Sequence, residues 1–407
     1  MDFPKLRYVE AFPVEADGEQ YICLRDPLNY SNKIVYLPPA AFFIVSLFDG
    51  RHSQRQIQES YFRRYGQLLL QEKLGQIIDQ LDANLFLESE LFRQHQEKLR
   101  SEFRQAPNRP AAHAGKCYSA EQGELRRVLE THFSEARAEG SGEPAGPAVP
   151  LKALIAPHID PRAGGLCYGW AYEQLRSEDH DLFVILGTAH APTRRLFAGT
   201  SKDYETPLGT VKTNSEIMDQ LKGRLGDGLF EDEYVHKEEH SIEFQAVYLQ
   251  YLLGARRPFE IVPILCGSFH QILYQGKKAC EVDEFKRLTD SLGELLARSS
   301  RKVCLIAAAD LAHIGLRFGD ARAPDELELM RLKDEDSTKL AEAGTGEPDR
   351  FWETIARDQD RRRICGFPCI YTMLTLLPTG EGSLLRYAQM DDRATGSAVS
   401  YASMAFH

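Results

Sequence analysis

The chain has 407 residues, 43% of them hydrophobic and 27% charged, the composition of a globular protein with two or three domains and at least one sizeable core. Its net charge of −11 argues against nucleic acid as a main partner, because phosphate is met by a basic surface, and no apolar run reaches the length of about 20 residues that spans a bilayer. Eight scattered cysteines, two of them (Cys266 and Cys304) inside predicted strands, fit reduced cytoplasmic thiols better than a disulfide framework, and the opening MDFPKLRYVEAF lacks the basic-then-apolar order of a secretory signal.

Residues 1–95 read as a first unit. Gln20–Arg25 and Lys33–Leu37 are short strands. Pro38-Pro39 opens an apolar helix, AAFFIVSLFDG, that stops at Asp49-Gly50. Ser53 caps a second helix with Ile57, Tyr61 and Phe62 as its apolar positions, closed by Gly66. A third helix, about Leu69–Asn84, carries Leu70, Leu74, Ile77, Ile78 and Leu81, and Phe86–Glu88 returns as a strand. This is a winged-helix-like order, but the helices mix charges (Arg55, Glu59, Arg63, Arg64, Glu72, Lys73), which speaks against DNA. The stretch YICLRDPLNYSNKIVYLPPAAFFIVSLFDGRHSQRQI resembles the PqqD-like domain. That resemblance implies a module that captures leader peptides for radical-SAM enzymes, by adding a peptide strand to an exposed sheet edge.

Residues 96–112 read as a charged, proline-bearing linker, with Leu91–Ala112 as its helix and loop, and 113–407 as the second domain. Its first element is an amphipathic helix containing ELRRVLETHFSEA, followed by a glycine- and proline-rich surface loop over Glu139–Pro150. From Leu151 onward strands and helices alternate. Helices are expected at Gly164–Leu175, Ser215–Lys222, Asp283–Arg298, about Asp325–Ala343 and Ile364–Leu377. A hairpin is expected at Leu196–Val211, a strand at Phe259–Cys266, and two closing strands in LLRYAQMDD and SAVSYASMAF. The pattern predicts an α/β sandwich around a mostly parallel sheet.

Three apolar runs end on histidines. Leu151–Ala156 leads to His158, Leu182–Leu186 leads through Gly187-Thr188-Ala189 to His190, and Val303–Ala309 leads to Asp310 and His313. In an open α/β sheet the residues just past the strand ends line the ligand crevice. His240 and Glu243 lie three apart on one helical face. Together with Cys365 these groups point to a metal or acid/base site assembled from distant parts of the chain. Neither HExxH nor a CxxC pair is present, and HKEEH (His236–His240) fits the reversed HxxEH pattern only weakly. Cys365 as a nucleophile with a histidine base is a second chemistry. GxGxxG and GxxxxGK[ST] are absent, which disfavours a nucleotide-binding oxidoreductase or a P-loop enzyme. His52, His95, His180 and His270 read as solvent or loop histidines, Cys266 and Cys304 as small core residues, and Cys369 as packing.

Ten stretches follow one another in the second domain: His113-Ala114-Gly115 with Tyr118, IAPH (Ile155–His158), ILGTAH (Ile185–His190), YETPL (Tyr204–Leu208), EHSIE (Glu239–Glu243), IVPIL (Ile261–Leu265), DLAHIG (Asp310–Gly315), ICG (Ile364–Gly366), YAQ (Tyr387–Gln389) and SAVSYA (Ser397–Ala402). In this order they resemble the Memo family, whose fold is similar to class III extradiol dioxygenases. The resemblance implies that His158, His190 and Cys365 bind one metal ion, iron as in the dioxygenases or copper by virtue of the thiolate. It also implies that Asp310, His313 and His240 face the same pocket as catalytic groups. The chain departs from the family at Ile159-Asp160-Pro161-Arg162, where a glycine and an aromatic residue are usual, and at Ala191, where many relatives carry a second histidine. Asp160 or Arg162 is thereby expected to change the pocket's charge. Bacterial and archaeal members are commonly called AmmeMemoRadiSam system protein B, a name that records company with a radical-SAM protein.

Two functions are compatible with this reading. One is a metal-dependent, dioxygenase-like oxidoreductase acting on a peptide or protein beside a radical-SAM partner. The other is a non-catalytic metal- or peptide-binding scaffold of such a modification system.

Overall fold

A computed structural model describes residues 1–16, 18–141 and 149–407. Residues 142–148 of the expected glycine- and proline-rich loop lie outside the described residues. The chain divides into two compact units, Met1–Ala106 and Pro107–His407. Among the described residues no helix is long and apolar enough to cross a membrane.

In the first unit, β1 (Glu10–Ala16), β2 (Glu19–Arg25) and β3 (Val35–Leu37) form an antiparallel sheet in that order. β1 was not expected from the sequence. It is a half-exposed edge strand containing Pro13, so it has little apolar alternation, and its pairing with β2 defines it. The helices α1 (Pro39–Ser46), α2 (Gln54–Tyr65), α3 (Gln71–Ala83) and α4 (Glu90–Gln105) follow. Ser53 and Gln56 form a reciprocal capping box on α2, and Gly66 closes it in the left-handed conformation. Ile44, Val45, Ile57, Leu74, Ile78 and Leu81 build the core. The strand expected at Phe86–Glu88 is reduced to a bridge between Leu6 and Leu87. The segment 96–112 is shared out: helix α4, anchored by buried Phe92 and Phe103, keeps it in the first unit to Ala106, and the second unit takes it from Pro107.

The second unit begins with β4 (Asn108–Arg109), α5 (Gln122–Ala138), β5 (Ala153–Ala156), α6 (Pro161–Glu173) and β6 (Leu182–Thr188). Then come β7 (Phe197–Gly199), β8 (Asp203–Thr206), β9 (Gly209–Thr213), α7 (Ser215–Leu225), α8 (His240–Leu253) and β10 (Glu260–Cys266). The rest is α9 (His270–Tyr274), α10 (Asp283–Arg298), β11 (Val303–Ala308), β12 (Asp310–Gly315), α11 (Glu326–Gly344), α12 (Pro348–Ala356), α13 (Phe367–Leu376), β13 (Gly382–Asp392) and β14 (Ser397–Phe406).

The strands form one sheet of mixed direction, in the order β12-β14-β5-β11-β6-β10-β9-β8-β4, with β13 on β14 and β7 on β10. Its centre, β5-β11-β6-β10, is parallel. These strands are near-continuous apolar runs because helices cover both faces. Ile155, Val184, Leu186, Val262, Ile264 and Ala307 pack with α7, α10 and α13 on one side. The helices α5, α6 and α8 pack on one another, and α6 and α8 lie against central strands. The fold is therefore the expected α/β sandwich. Its register places Ala156, Ala308 and Gly187 side by side, so the chain leaves three adjacent strands at one level.

Candidate metal centre

That shared level assembles the site. His158 follows β5 by two residues, His190 follows β6 by two, and Asp310 opens β12 just past β11. Asp310 Oδ1 accepts the backbone N–H groups of His158 and Ile159 at 2.9 and 3.1 Å, which ties the first strand exit to the third. The sequence places DLAHIG directly after the Val303–Ala309 run and assigns it no element of its own. In the fold it is strand β12, antiparallel to β14 with an irregularity between Asp310 and His313.

The rings of His158, His190 and His240 meet with centroids 4.7–5.5 Å apart, and one donor nitrogen from each lies within 4.8 Å of the other two. The His158 Nδ1–H donates to the Ala308 carbonyl at 2.9 Å, leaving Nε2 as its lone-pair nitrogen. Cys365 Sγ sits 3.2 Å and Asp310 Oδ2 3.6 Å from that Nε2. His190 Nδ1 is 3.1 and 3.2 Å from the two Glu239 oxygens, and His240 Nδ1 is 3.2 Å from Glu239 Oε1. His158 is buried, whereas the His190 and His240 side chains are 37% and 28% exposed, so the cluster opens to solvent on one side.

Two glycines permit these approaches. A β-carbon on Gly187 would stand 2.5 Å from Ile242 and 2.7 Å from Ser241 Oγ, so its absence lets the first turn of α8 lie on β6 and brings Glu239 and His240 to His190. Ser241 Oγ fastens that turn to the Thr188 carbonyl at 2.9 Å. On Gly366 a β-carbon would stand 2.4 Å from Ala309 Cβ and 2.5 Å from the Asp310 carbonyl oxygen. The loop ahead of Cys365 is held in an uncommon conformation, with positive φ at Gln359, Asp360 and Arg363. Asp360 fixes it by accepting Ile364 N–H at 3.0 Å and pairing with His270 Nε2 at 2.7 Å.

Burial, with His190 adding to it, lowers the His158 pKa to about 3. His240 is also held well below its ordinary value, by burial first and neighbouring His190 and His158, against the pull of Glu239. Both rings are neutral at physiological pH, as metal ligands must be. Burial opposes the charge on Glu239, but His190, through its ring and its backbone N–H, outweighs burial and holds the carboxylate well below its usual range. Asp310 is pushed up to about 6 by burial, against His313 and its two backbone donors. Burial lowers His313 to about 4 against Asp310, and its Nδ1–H donates to the Leu311 carbonyl at 3.1 Å. Burial and Asp310 raise the Cys365 thiol well above its usual value. A bound cation would reverse that preference and favour the thiolate.

Of the residues singled out from the sequence, His158, His190, His240, Asp310 and Cys365 thus surround one place, and His313, on β12 with Asp310, is near enough to feel Asp310, His158 and His190 electrostatically. Glu243 is not among them. Although three residues from His240, it is fully buried and paired with Arg109, and accepts from Tyr118 OH and the His113 N–H. Nor is His236, whose ring lies between Tyr204 OH and the Ala198 carbonyl, so HKEEH does not act as a metal pair. His180, expected at the surface or in a loop, is buried with Nε2 on the Leu151 carbonyl. Cys369 is buried 3.3 Å from Thr188 Oγ1, in a packing role. Asp160 and Arg162 close on each other at 2.5–2.9 Å, and Asp160 caps α6. Sequence reasoning missed Glu239 and Gly187. The available signal for Glu239 was an acidic residue at a helix N-cap, directly before a histidine.

Comparison with known proteins agrees with this architecture. A MEMO1 family protein of Aquifex aeolicus (strain VF5) is 27% identical over 411 residues, spanning 99% of this chain and 100% of that protein, so the similarity extends through both units. A MEMO1 family protein of Methanopyrus kandleri is 30% identical over 307 residues, 73% of this chain and 98% of its own. The protein memo-1 homolog of Caenorhabditis elegans is 27% identical over 329 residues, 75% of this chain and 86% of its own. The family model for Memo-like protein matches residues 109–405, nearly the whole second unit, and the chain therefore belongs to the Memo-like family.

Proposed function

We propose that this chain is a metal-dependent redox protein, related to the extradiol dioxygenases, that holds one iron or copper ion on His158, His190 and Cys365, with His240 as a further imidazole within reach. The observation that carries the reading is the convergence of three histidine donor nitrogens within 4.8 Å, beside a sulfur 3.2 Å from one of them. The donor set fits a transition metal. His158 and His240 are held neutral by burial, Nδ1 of His158 and of His190 is turned to an acceptor, and the sulfur favours a softer ion. When bound, iron or copper supplies a redox centre and a Lewis acid. The chain's own groups orient and move protons. Asp310, whose pKa burial brings up to about 6, exchanges a proton at Oδ2 beside the site, and His313 stands by as a neutral base.

The first unit, by its PqqD-like resemblance, presents a peptide or protein substrate, and the chain works beside a radical-SAM partner. β1 and β3 are the two edges of its three-stranded sheet, which supports capture by strand addition. All eight cysteines are free thiols, which supports a reducing, cytoplasmic setting.

The test is elemental analysis of protein purified without chelator or affinity nickel, beside His158→Ala and Cys365→Ala, followed by O2 uptake with a reductant. Stoichiometric iron or copper that is lost in His158→Ala supports the reading. Metal content unchanged by that substitution sinks the ligand assignment. Bound metal with no O2 uptake under any reductant would instead favour the scaffold function.

A further inference from the structure

We infer that Glu239 is the positioning residue of this centre: one buried carboxylate sets the ring orientation and tautomer of both His190 and His240. The inference rests on the reading that these imidazoles hold a metal. The Glu239 side chain is 4% exposed. Its Oε2 accepts the His190 backbone N–H at 2.9 Å and lies 3.2 Å from His190 Nδ1. Its Oε1 lies 3.1 Å from His190 Nδ1 and 3.2 Å from His240 Nδ1, and accepts the Ser241 N–H at 3.0 Å. Both Glu239 oxygens already accept backbone N–H groups, so the His190 Nδ1 hydrogen-bonded to them carries a proton, and the 3.2 Å approach of His240 Nδ1 to Oε1 favours Nδ1–H on that ring as well. Nε2 of both rings then bears the lone pair, on the same side of the imidazole as in His158, where the Ala308 carbonyl fixes Nδ1–H. Three rings from three parts of the chain thereby present the same nitrogen.

The need is greatest at His190. Its side chain is 37% exposed on the loop after β6, where a ring without a fixed acceptor can turn and exchange tautomers. A carboxylate behind a ligating imidazole also raises its basicity, and loss of such a partner typically costs about 10–100-fold in metal affinity. Glutamine cannot replace it. Three N–H groups donate to Glu239 and His240 Nδ1 lies 3.2 Å from it, whereas the amide offers one acceptor oxygen and would set its NH2 against an N–H.

Glu239 also caps α8, so the test must separate positioning from helix stability. The full chain is compared with Glu239→Gln and with Glu239→Asp, which keeps the charge and is itself a good cap but withdraws the carboxylate from the rings. Two quantities are read: affinity for Co2+ alone, by its visible bands under chelator competition, and the His190 and His240 tautomers of the metal-free chain, by long-range 1H–15N NMR. Expected are Nδ1–H rings in the wild type, mixed or Nε2–H rings in both variants, and about 10–100-fold weaker Co2+ binding. A role in capping alone predicts a lower melting temperature for Glu239→Gln with unchanged tautomers and affinity, and that result overturns the inference. Failure of the wild type to bind Co2+ overturns the metal reading instead, and the tautomer comparison still decides the role of Glu239.

Discussion

Gly187 and Ile242 touch where strand β6 passes beneath the first turn of α8: a β-carbon on the glycine would stand 2.5 Å from Ile242 Cγ1. The contact leaves no room for a methyl group, and Ser241 Oγ closes the same space at 2.7 Å. Gly187→Ala must therefore lift the α8 N-terminus, and with it Glu239 and His240, away from His190. The expected cost is about 1–3 kcal/mol of stability, as for other overpacked cores, together with weaker metal binding. Gly75→Ala in α3 is the control, because a β-carbon there meets nothing within 4 Å. That change should gain up to about 1 kcal/mol from helix propensity and leave the metal untouched. Denaturant unfolding and a Co2+ titration of both variants check the pair.

Arg109 is the buried strut of the second unit. Its guanidinium donates to the His236 carbonyl at 2.8 Å and the Glu239 carbonyl at 2.7 Å, and is paired with fully buried Glu243. Arg109→Met would leave that carboxylate without its cation, at a cost of about 3–5 kcal/mol. Adding Glu243→Gln should restore part of the loss, because the penalty lies in the stranded charge rather than in a missing contact. Urea midpoints of the two single variants and the double variant measure it. Additive losses would show that the pair is not coupled.

What the sequence revealed and what it hid follow from the range of the interactions involved. The helix α10 matches its expected span, Asp283–Arg298, because Phe285, Leu288, Leu292 and Leu295 repeat at helical spacing within one stretch. Strands β5, β6 and β11 were legible as apolar runs, and the histidines were legible because each follows such a run. β1 was hidden by its exposure and its proline. Arg109 looked like linker because its partner Glu243 is 134 residues away. Glu239 looked like one acid in a charged segment, because the His190 it serves is 49 residues earlier. Helical spacing paired His240 with Glu243, but α8 begins at His240, so that ring belongs to the site while Glu243 turns to Arg109. Periodicity reports what an element buries; it does not report which distant element supplies a polar partner.

His158 is the hub of the cluster, touching Cys365 and Asp310 and facing both other rings. His158→Ala should reduce bound metal to background, whereas His240→Ala or Cys365→Ala should each leave a weakened site. Cys365→Ser exchanges a soft donor for a hard one and should lower copper retention more than zinc retention. Elemental analysis after dialysis against a graded chelator series gives the order. Equal losses of copper and zinc in the serine variant would remove Cys365 from the ligand set.

Asp336 gives the fold a pH dependence away from the metal. It is fully buried in α11, accepts from Ser400 Oγ at 2.6 Å and Tyr387 OH at 2.9 Å on Oδ2, and has no partner for Oδ1 among the described residues. Burial raises its pKa from 3.8 to about 6, against those two hydrogen bonds. The folded state therefore binds the proton more tightly than the unfolded chain. Its stabilising contribution is complete below 3.8 and is lost as pH rises through about 6, at up to about 1.4 kcal/mol per pH unit and about 3 kcal/mol in all. Asp336→Asn removes the titration. Relative to the wild type, the variant should gain stability as pH rises from about 4 to about 7, with the steepest change near the middle of that range. Unfolding free energies of both proteins across that range check the sign. Parallel curves would mean that Asp336 keeps one protonation state throughout, and that the hydroxyls of Ser400 and Tyr387 hold its carboxylate ionised in spite of burial.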